Sequence, residues 1–168
     1  MLEIRAAKPD DLPAITRLFT SRDELFLVYP KGRFPFTLQQ AVQLYTERFE
    51  FTVVCDGDTI IGLANLYNRL HNDSAFIGNV FIAPDYRRQG LGKLLLHYMI
   101  KAMFEKYSMR EARLSVFADN LPALNLYQQF GFSPYSQEQR TSPDTQCKTL
   151  LHMKLLNPES NRPPLQSS

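Results

Sequence analysis

Residues 75–107 read AFIGNVFIAPDYRRQGLGKLLLHYMIKAMFEKY and contain the pattern from which the rest of the fold is predicted. The opening part, residues 75–82, is almost continuously apolar, which is typical of a strand buried on both faces. Pro84 and Asp85 end that strand. From Leu91 onward, apolar residues recur every three or four positions, as they do in an amphipathic helix. The stretch therefore predicts a central strand, a short turn and a long helix, in that order.

Two glycines, Gly90 and Gly92, lie where this strand gives way to the helix. The amide N–H groups in the first turn of a helix lack intrahelical partners and carry the positive end of the helix dipole. Glycine, which has no Cβ atom, lets a ligand come close to the backbone. The turn therefore predicts an anion site, most naturally for a phosphate or pyrophosphate.

Two nucleotide-binding patterns are excluded by the residues of the turn. A dinucleotide fold requires a third glycine, which the sequence from Gly90 to Leu95 lacks. A triphosphate loop requires Ser or Thr after its lysine, and Lys93 is followed by Leu94. On these residues alone, a glycine-rich turn without any ligand remains as the alternative.

The residues around the turn resemble the coenzyme A loop of the GNAT superfamily of N-acetyltransferases. The pattern is Arg87-x-x-Gly90-x-Gly92, preceded by Val80-x-Ile82-x-Pro84. The resemblance implies that acetyl-CoA is the cofactor and that the strand pairs with its pantetheine arm, provided that this strand diverges from the next one. It implies the following cofactor-binding residues: Val80, Ile82, Arg87, Arg88, Gln89, Gly90, Leu91, Gly92 and Lys93.

A second motif, Asn120-x-x-Ala123-x-x-Leu126-Tyr127-x-x-x-Gly131-Phe132, is similar to another GNAT pattern. The resemblance implies that Asn120 contacts the pantetheine arm and that Tyr127 points at the thioester sulfur. Tyr127 is then the candidate general acid, because a departing thiolate can take a proton from a nearby phenol. The alternative is that Tyr127 belongs only to the core, since the apolar residues of this helix share one face.

The totals fit a single globular domain with a cytoplasmic location. The chain has 168 residues and a net charge of +2, which is too small to favour a nucleic acid or a membrane as partner. Its first residues contain no long apolar segment, so neither a signal peptide nor an anchor is predicted. Cys55 and Cys147 lack metal-ligand spacing and are interpreted as reduced core residues. We expect a domain over residues 1–156 and a flexible tail over 157–168.

Periodicity and turn signals predict the remaining elements. Strands are predicted at 2–6, 51–55, 59–67, 75–82 and 112–117, with a last pair that starts at Phe132, is interrupted over 136–145 and ends at 156. Helices are predicted from Pro9, Thr37, Leu91 and Asn120, and residues 23–36 are predicted to form a loop or broken helix. The result is an α/β (α+β) domain with a mixed, mostly antiparallel sheet and about four helices. The resemblance to the GNAT fold covers all of it except the tail.

The resemblance implies an enzyme that moves an acetyl group directly to a primary amine of a small molecule or a peptide. Many relatives have a glutamate on the central strand as general base, but here Asn79 is the only polar side chain of that strand. The amine must then lose its proton through a water, through a group from another segment, for which His71 and Asp73 are candidates, or before it binds. Use of another acyl-CoA and a non-catalytic acyl-CoA-binding module remain as alternatives, and the chain is expected to be a monomer or a homodimer.

In this family the segments matching 23–36 and 136–145 usually wall the acceptor pocket. We therefore expect Tyr29 to face the acceptor and Arg33 to meet an anionic group on it.

Overall fold

A single seven-stranded sheet forms the centre of the computed structural model, which describes residues 1–161. Across the sheet the strands follow the order β1-β2-β3-β4-β5-β7-β6, and among the described strands only β4 and β5 pair in parallel. The predicted mixed, mostly antiparallel sheet is therefore confirmed. The strands are β1 (Leu2–Ala6), β2 (Phe49–Asp56), β3 (Thr59–Leu70), β4 (Ser74–Ile82), β5 (Glu111–Phe117), β6 (Ser133–Thr141) and β7 (Cys147–Leu156).

Within the described residues, five α-helices cover the two faces of this sheet. They are α1 (Leu12–Thr16), α2 (Arg22–Val28), α3 (Leu38–Glu47), α4 (Leu91–Lys101) and α5 (Leu121–Gln129). Alternate residues of each buried strand point to opposite faces. In β2, Val53 packs in the core under α1 and α3, whereas its neighbour Val54 packs in the core under α4 and α5. Two cores, one on each face, thus hold the central strands in place.

Residues 23–36, predicted to form a loop or broken helix, begin with helix α2 and continue as a loop beyond Val28. The Ser21 hydroxyl accepts a hydrogen bond from the Glu24 N–H group and thereby caps this helix. Pro30 disfavours helical geometry at Tyr29, where the helix ends. A helix of only two turns is too short to show a clear apolar period, which is why the sequence pattern did not distinguish a helix from a loop here.

Two other expectations near the C-terminus need correction. Strand β6 runs through most of the predicted loop 136–145, because an edge strand with exposed side chains tolerates polar residues. Cys147 is exposed at the start of β7, whereas Cys55 is buried as expected. Asn157 is also buried, and its side chain donates a hydrogen bond of 2.9 Å to the Met109 carbonyl. The rest of the predicted tail, residues 162–168, lies outside the described residues.

Within residues 1–161, no helix has both the length and the apolar character that crossing a membrane requires.

Candidate active site

The parallel strands β4 and β5 diverge halfway along their length. Their pairing begins at Ser74 with Glu111 and ends at Ile77 with Leu114, although both strands continue. In the described part of the chain, residues 78–82 therefore have no strand partner on the side that faces β5. The divergence that the family resemblance requires is present, and it leaves backbone groups free to pair with an extended ligand.

A bulge in β4 lies at the start of this gap. The register with β3 shifts between the pairs Leu63–Phe81 and Asn65–Gly78, so β4 contains one extra residue there. Asn79 adopts a left-handed backbone with a φ of 54°. Its side-chain carbonyl accepts a bond of 2.7 Å from Asn65, and its amide donates one of 2.9 Å to the Val28 carbonyl. A bulge of this kind bends the strand, so Asn79 has a structural task at the gap.

The loop and the N-terminus of α4 have the open backbone that the predicted anion site requires. Gly90 is the N-cap residue with a φ of 79°, and its carbonyl accepts the first helical bond, from Leu94. The N–H groups of residues 91–93 therefore precede the first helical hydrogen bond. No atom lies within 4 Å of the position that a Cβ atom would occupy at Gly90, and residues 87–90 are exposed. This open row of donors fits a pyrophosphate group.

The Arg87 side chain attaches the loop to the end of β4. Its Nε atom donates a bond of 2.9 Å to the Ile82 carbonyl. That carbonyl points away from β3, because the N–H group of the same peptide, on Ala83, bonds to Ile61 in β3. A contact between Arg87 and the cofactor stays a prediction, as do the contacts of the exposed Arg88, Gln89 and Lys93.

The second motif lies directly beside the glycine loop. A Cβ atom at Gly92 would be 3.7 Å from the Cδ2 atom of Leu126, which is an ordinary van der Waals contact. The Asn120 amide is half-buried at the start of α5 and makes no capping bond. It is therefore available to a ligand, as the resemblance implies.

The Tyr127 ring belongs to the core, but its hydroxyl is not sealed. Burial raises the pKa of Tyr127 to about 12, so the hydroxyl stays protonated at neutral pH. Desolvation alone causes this shift, and no hydrogen bond contributes to it. Among the described residues, every side-chain oxygen or nitrogen that is closed to solvent has a hydrogen-bond partner. The Tyr127 oxygen has no such partner, so it must be at least slightly accessible to solvent. Packing in the core and a catalytic role are therefore compatible.

A polar network, which sequence analysis missed, joins β5, β7 and β6. The Ser115 hydroxyl lies 2.7 Å from the Nδ1 atom of His152, and the Nε2 atom of that histidine lies 3.1 Å from a carboxylate oxygen of Glu138. Hydrogen bonds from Arg140 and His152 lower the pKa of Glu138, so its carboxylate is charged. Ser115 is the first residue of β5 beyond the last pair with β4. The network thus begins at the gap.

The candidate bases suggested by sequence lie at the wrong end of β4. His71 and Asp73 form the turn before this strand, and Asp73 accepts backbone bonds from residues 110 and 111. Asp73 is six residues before Asn79, which in an extended strand is about 20 Å. Neither residue can reach an amine at the gap.

The two segments predicted to wall the acceptor pocket do meet. Together they line a cavity of about 190 Å³, formed by Arg22, Leu25, Phe26, Pro30, Gly32, Phe34, Thr141, Ser142 and Pro143. Tyr29 is half-buried beside this cavity, with its ring against Gly32 and 5.9 Å from the Arg48 guanidinium. Arg33 is exposed and does not line the cavity, and only its backbone is held, by Gln40. The expectation for Arg33 thus has no support from its position.

The sequence profile of the Acetyltransferase (GNAT) family matches residues 14–132, which include both motifs. The chain belongs to this family. Members of the family use acetyl-CoA as the acetyl donor. The profile match covers well over half of the chain, and the fold described above agrees with it.

Curated relatives and solved structures are similar to this GNAT chain to different extents. A spermine/spermidine N(1)-acetyltransferase of Bacillus subtilis is 38% identical over 61 residues, which are 36% of this chain and 40% of that protein. A ribosomal-protein-alanine N-acetyltransferase of Escherichia coli is 37% identical over 73 residues, which are 44% of this chain and 49% of that protein. The chain therefore spans less than half the length of these relatives.

The solved structures share the fold over nearly the whole chain. Spermidine N-acetyltransferase from Vibrio cholerae, in complex with CoA and spermine, has a TM-score of 0.78 at 22% sequence identity. The superposition covers 92% of this chain and 95% of the Vibrio cholerae chain. The Escherichia coli ribosomal-protein-alanine enzyme has a TM-score of 0.73 at 24% identity, with 93% and 94% covered. At these identities the likeness shows the fold alone.

Valine at Gly92 tests the pyrophosphate site. Valine would attach a branched side chain to a residue whose own N–H group is one of the free donors, so Gly92→Val should weaken coenzyme A binding at least tenfold, about 1.4 kcal/mol, in a calorimetric titration. Gly92→Ala is the matched control, because its Cβ atom fits beside Leu126 and should leave affinity close to that of the wild type. Gly90 is less suitable, since its positive φ would add backbone strain. Unchanged affinity in Gly92→Val would remove the pyrophosphate assignment.

Proposed function

We propose that this protein is an acetyl-CoA-dependent N-acetyltransferase that moves an acetyl group directly to the primary amine of a small molecule or a peptide. One observation carries the proposal: the gap between β4 and β5 opens beside the free N-terminus of α4. Coenzyme A contains both an extended pantetheine arm, which suits the gap, and a diphosphate, which suits the helix N-terminus. Both features therefore support coenzyme A as the ligand.

The chain's own groups then have distinct binding tasks. The N–H groups of residues 91–93 hold the pyrophosphate, and the unpaired edge of residues 78–82 pairs with the pantetheine arm in the manner of an added strand. The Asn120 amide, which has no capping bond, donates to the same arm. These contacts fix the position of the reactive end, which accounts for much of the rate enhancement in transfer reactions.

Bound acetyl-CoA supplies an activated acetyl group as a thioester. As the new C–N bond forms and the C–S bond breaks, the Tyr127 hydroxyl donates its proton to the departing sulfur. The phenol is protonated at neutral pH, and burial, which raises its pKa to about 12, extends that state to higher pH. No residue forms a covalent bond to the acetyl group.

The Ser115–His152–Glu138 network receives the proton that the amine loses. The Ser115 hydroxyl accepts it and passes its own proton to the Nδ1 atom of His152, 2.7 Å away. Glu138 accepts a bond from the opposite ring nitrogen at 3.1 Å, which fixes the tautomer and stabilises the imidazolium that forms. The network thereby replaces the glutamate that is missing from β4.

Thiol release from acetyl-CoA over a panel of amines tests the activity, and Tyr127→Phe tests the acid. This substitution keeps the ring in the core and removes only the hydroxyl, so we expect kcat to fall about 10²-fold with little change in acetyl-CoA affinity. Because the pKa is raised, wild-type kcat should show no loss from tyrosine ionisation between about pH 8 and about pH 10. If kcat of Tyr127→Phe stays within about twofold, Tyr127 is not the acid.

Coenzyme A binding without turnover on any amine would favour the non-catalytic module.

His152→Gln tests the proton route. With an alkylamine acceptor, which is protonated at neutral pH, we expect kcat/KM to fall about 10²-fold. A weakly basic amine is already neutral and should lose far less. His97→Gln, on the exposed face of α4, is the control and should behave as wild type. Equal losses for both amines would indicate a structural role only.

A further inference from the structure

Arg48 lies at the gap, although no motif pointed to it. It directly follows α3, and its Nη1 atom donates a bond of 3.0 Å to the Asn65 side chain. Its guanidinium carbon lies 3.9 Å from the centre of the Tyr67 ring. A Cβ atom on Gly78 would be only 2.4 Å from the same Nη1 atom. Arg48 therefore covers the backbone of β4 immediately before the bulge.

The charge of Arg48 is not neutralised by an acid. Its neighbours are an amide and two phenol rings, and within residues 1–161 it forms no ion pair. Burial lowers the pKa of Arg48, and the carboxylate of Glu47 opposes that effect only weakly. Arg5 and Arg113, which bond to carboxylates, instead have a raised pKa. Burying a cation without a counter-ion is costly, so a folded protein that does so has a reason to keep it.

Arg48 also has donors to spare. Only its Nη1 atom has a hydrogen-bond partner in the described part of the chain. Every side-chain nitrogen there that is closed to solvent does have a partner. The Nε and Nη2 atoms are therefore accessible, and together they form the planar fork that matches a carboxylate.

The guanidinium lies on the same side of the sheet as the proton route. The last pair between β4 and β5 is Ile77 with Leu114. The next residue of β4 is Gly78, which Arg48 covers, and the next residue of β5 is Ser115. The Arg48 guanidinium stacks on the Tyr67 ring at 3.9 Å. Burial raises the pKa of Tyr67, and the charge of Arg48 and a hydrogen bond from Ser115 oppose that effect. Arg140, the other arginine that opposes it, is paired with Glu138. The unpaired charge of Arg48 therefore lies on the side of the sheet where the proposed proton route begins.

We infer that Arg48 binds a carboxylate that the acceptor carries close to its amine. The inference rests on the proposed function, and it names the acceptor class as amino-carboxylates rather than polyamines. A polyamine would bring further positive charge against a buried guanidinium, which like-charge repulsion opposes. The anionic acceptor expected from Arg33 is retained, but the arginine that recognises it is a different one.

Matched acceptors test this inference: an amino acid and the amine that lacks only its carboxylate. Arg48→Gln keeps a donor for Asn65 and removes the charge, so the KM for the amino acid should rise at least tenfold. The KM for the plain amine and that for acetyl-CoA should not change. Arg48→Lys, which keeps the charge without the fork, should be intermediate. Arg33→Gln, an exposed arginine of the same region, is the control and should match the wild type.

Calorimetry on the wild type with coenzyme A present gives a second readout that needs neither turnover nor a variant. The amino acid should bind at least tenfold more tightly than the plain amine. Equal binding of the two, an equal effect of Arg48→Gln on both, or a preference for spermidine would overturn the role of Arg48. Those outcomes leave acetyl transfer intact, whereas absence of thiol release with every amine would contradict the proposed function itself.

Discussion

The separation of β4 from β5 is the constraint on which the site depends. Two parallel strands that remained paired to their ends would leave no backbone donors or acceptors for a ligand and no path between the two faces of the sheet. The bulge at Asn79 bends β4 where the pairing stops. One residue inserted into one strand thus creates the gap, exposes its edge and directs that edge toward the helix that follows.

A chain of buried and partly buried hydrogen bonds holds the bulge in place. It runs from the Arg48 guanidinium through Asn65 and Asn79 to the Val28 carbonyl, and its last link joins residues 51 positions apart. Each such bond contributes about 0.5–1.5 kcal/mol net, and leaving one partner buried and unpaired costs more. Helix α2, which supplies the Val28 carbonyl, therefore supports β4 at the bulge. The same chain of hydrogen bonds positions Arg48. The bulge in β4 and the arginine proposed to select the acceptor are therefore connected.

Much of the fold could be predicted because its signals are local. The buried strand, the glycine turn and the amphipathic helix each occupy a short window, and the Asp-Gly turn between β2 and β3 is equally local. The contacts that were missed join distant residues. Ser115 and His152 are 37 positions apart and become neighbours only through the register of β5 with β7. The residues beside His152 in β7 give no indication of its partner. Likewise, the sequence predicted an anion contact for Arg33, in the loop before α3, but gave no reason to select Arg48, which follows an ordinary helix.

Hydrogen exchange of the backbone amides, measured with and without coenzyme A, tests the central claim most directly. If the gap and the α4 N-terminus hold the cofactor, exchange should slow within residues 78–82 and 90–93. The turn at residues 71–73, at the far end of β4, should be unaffected and serves as an internal reference. Binding that leaves both segments unprotected, or that protects a different surface, would contradict the account.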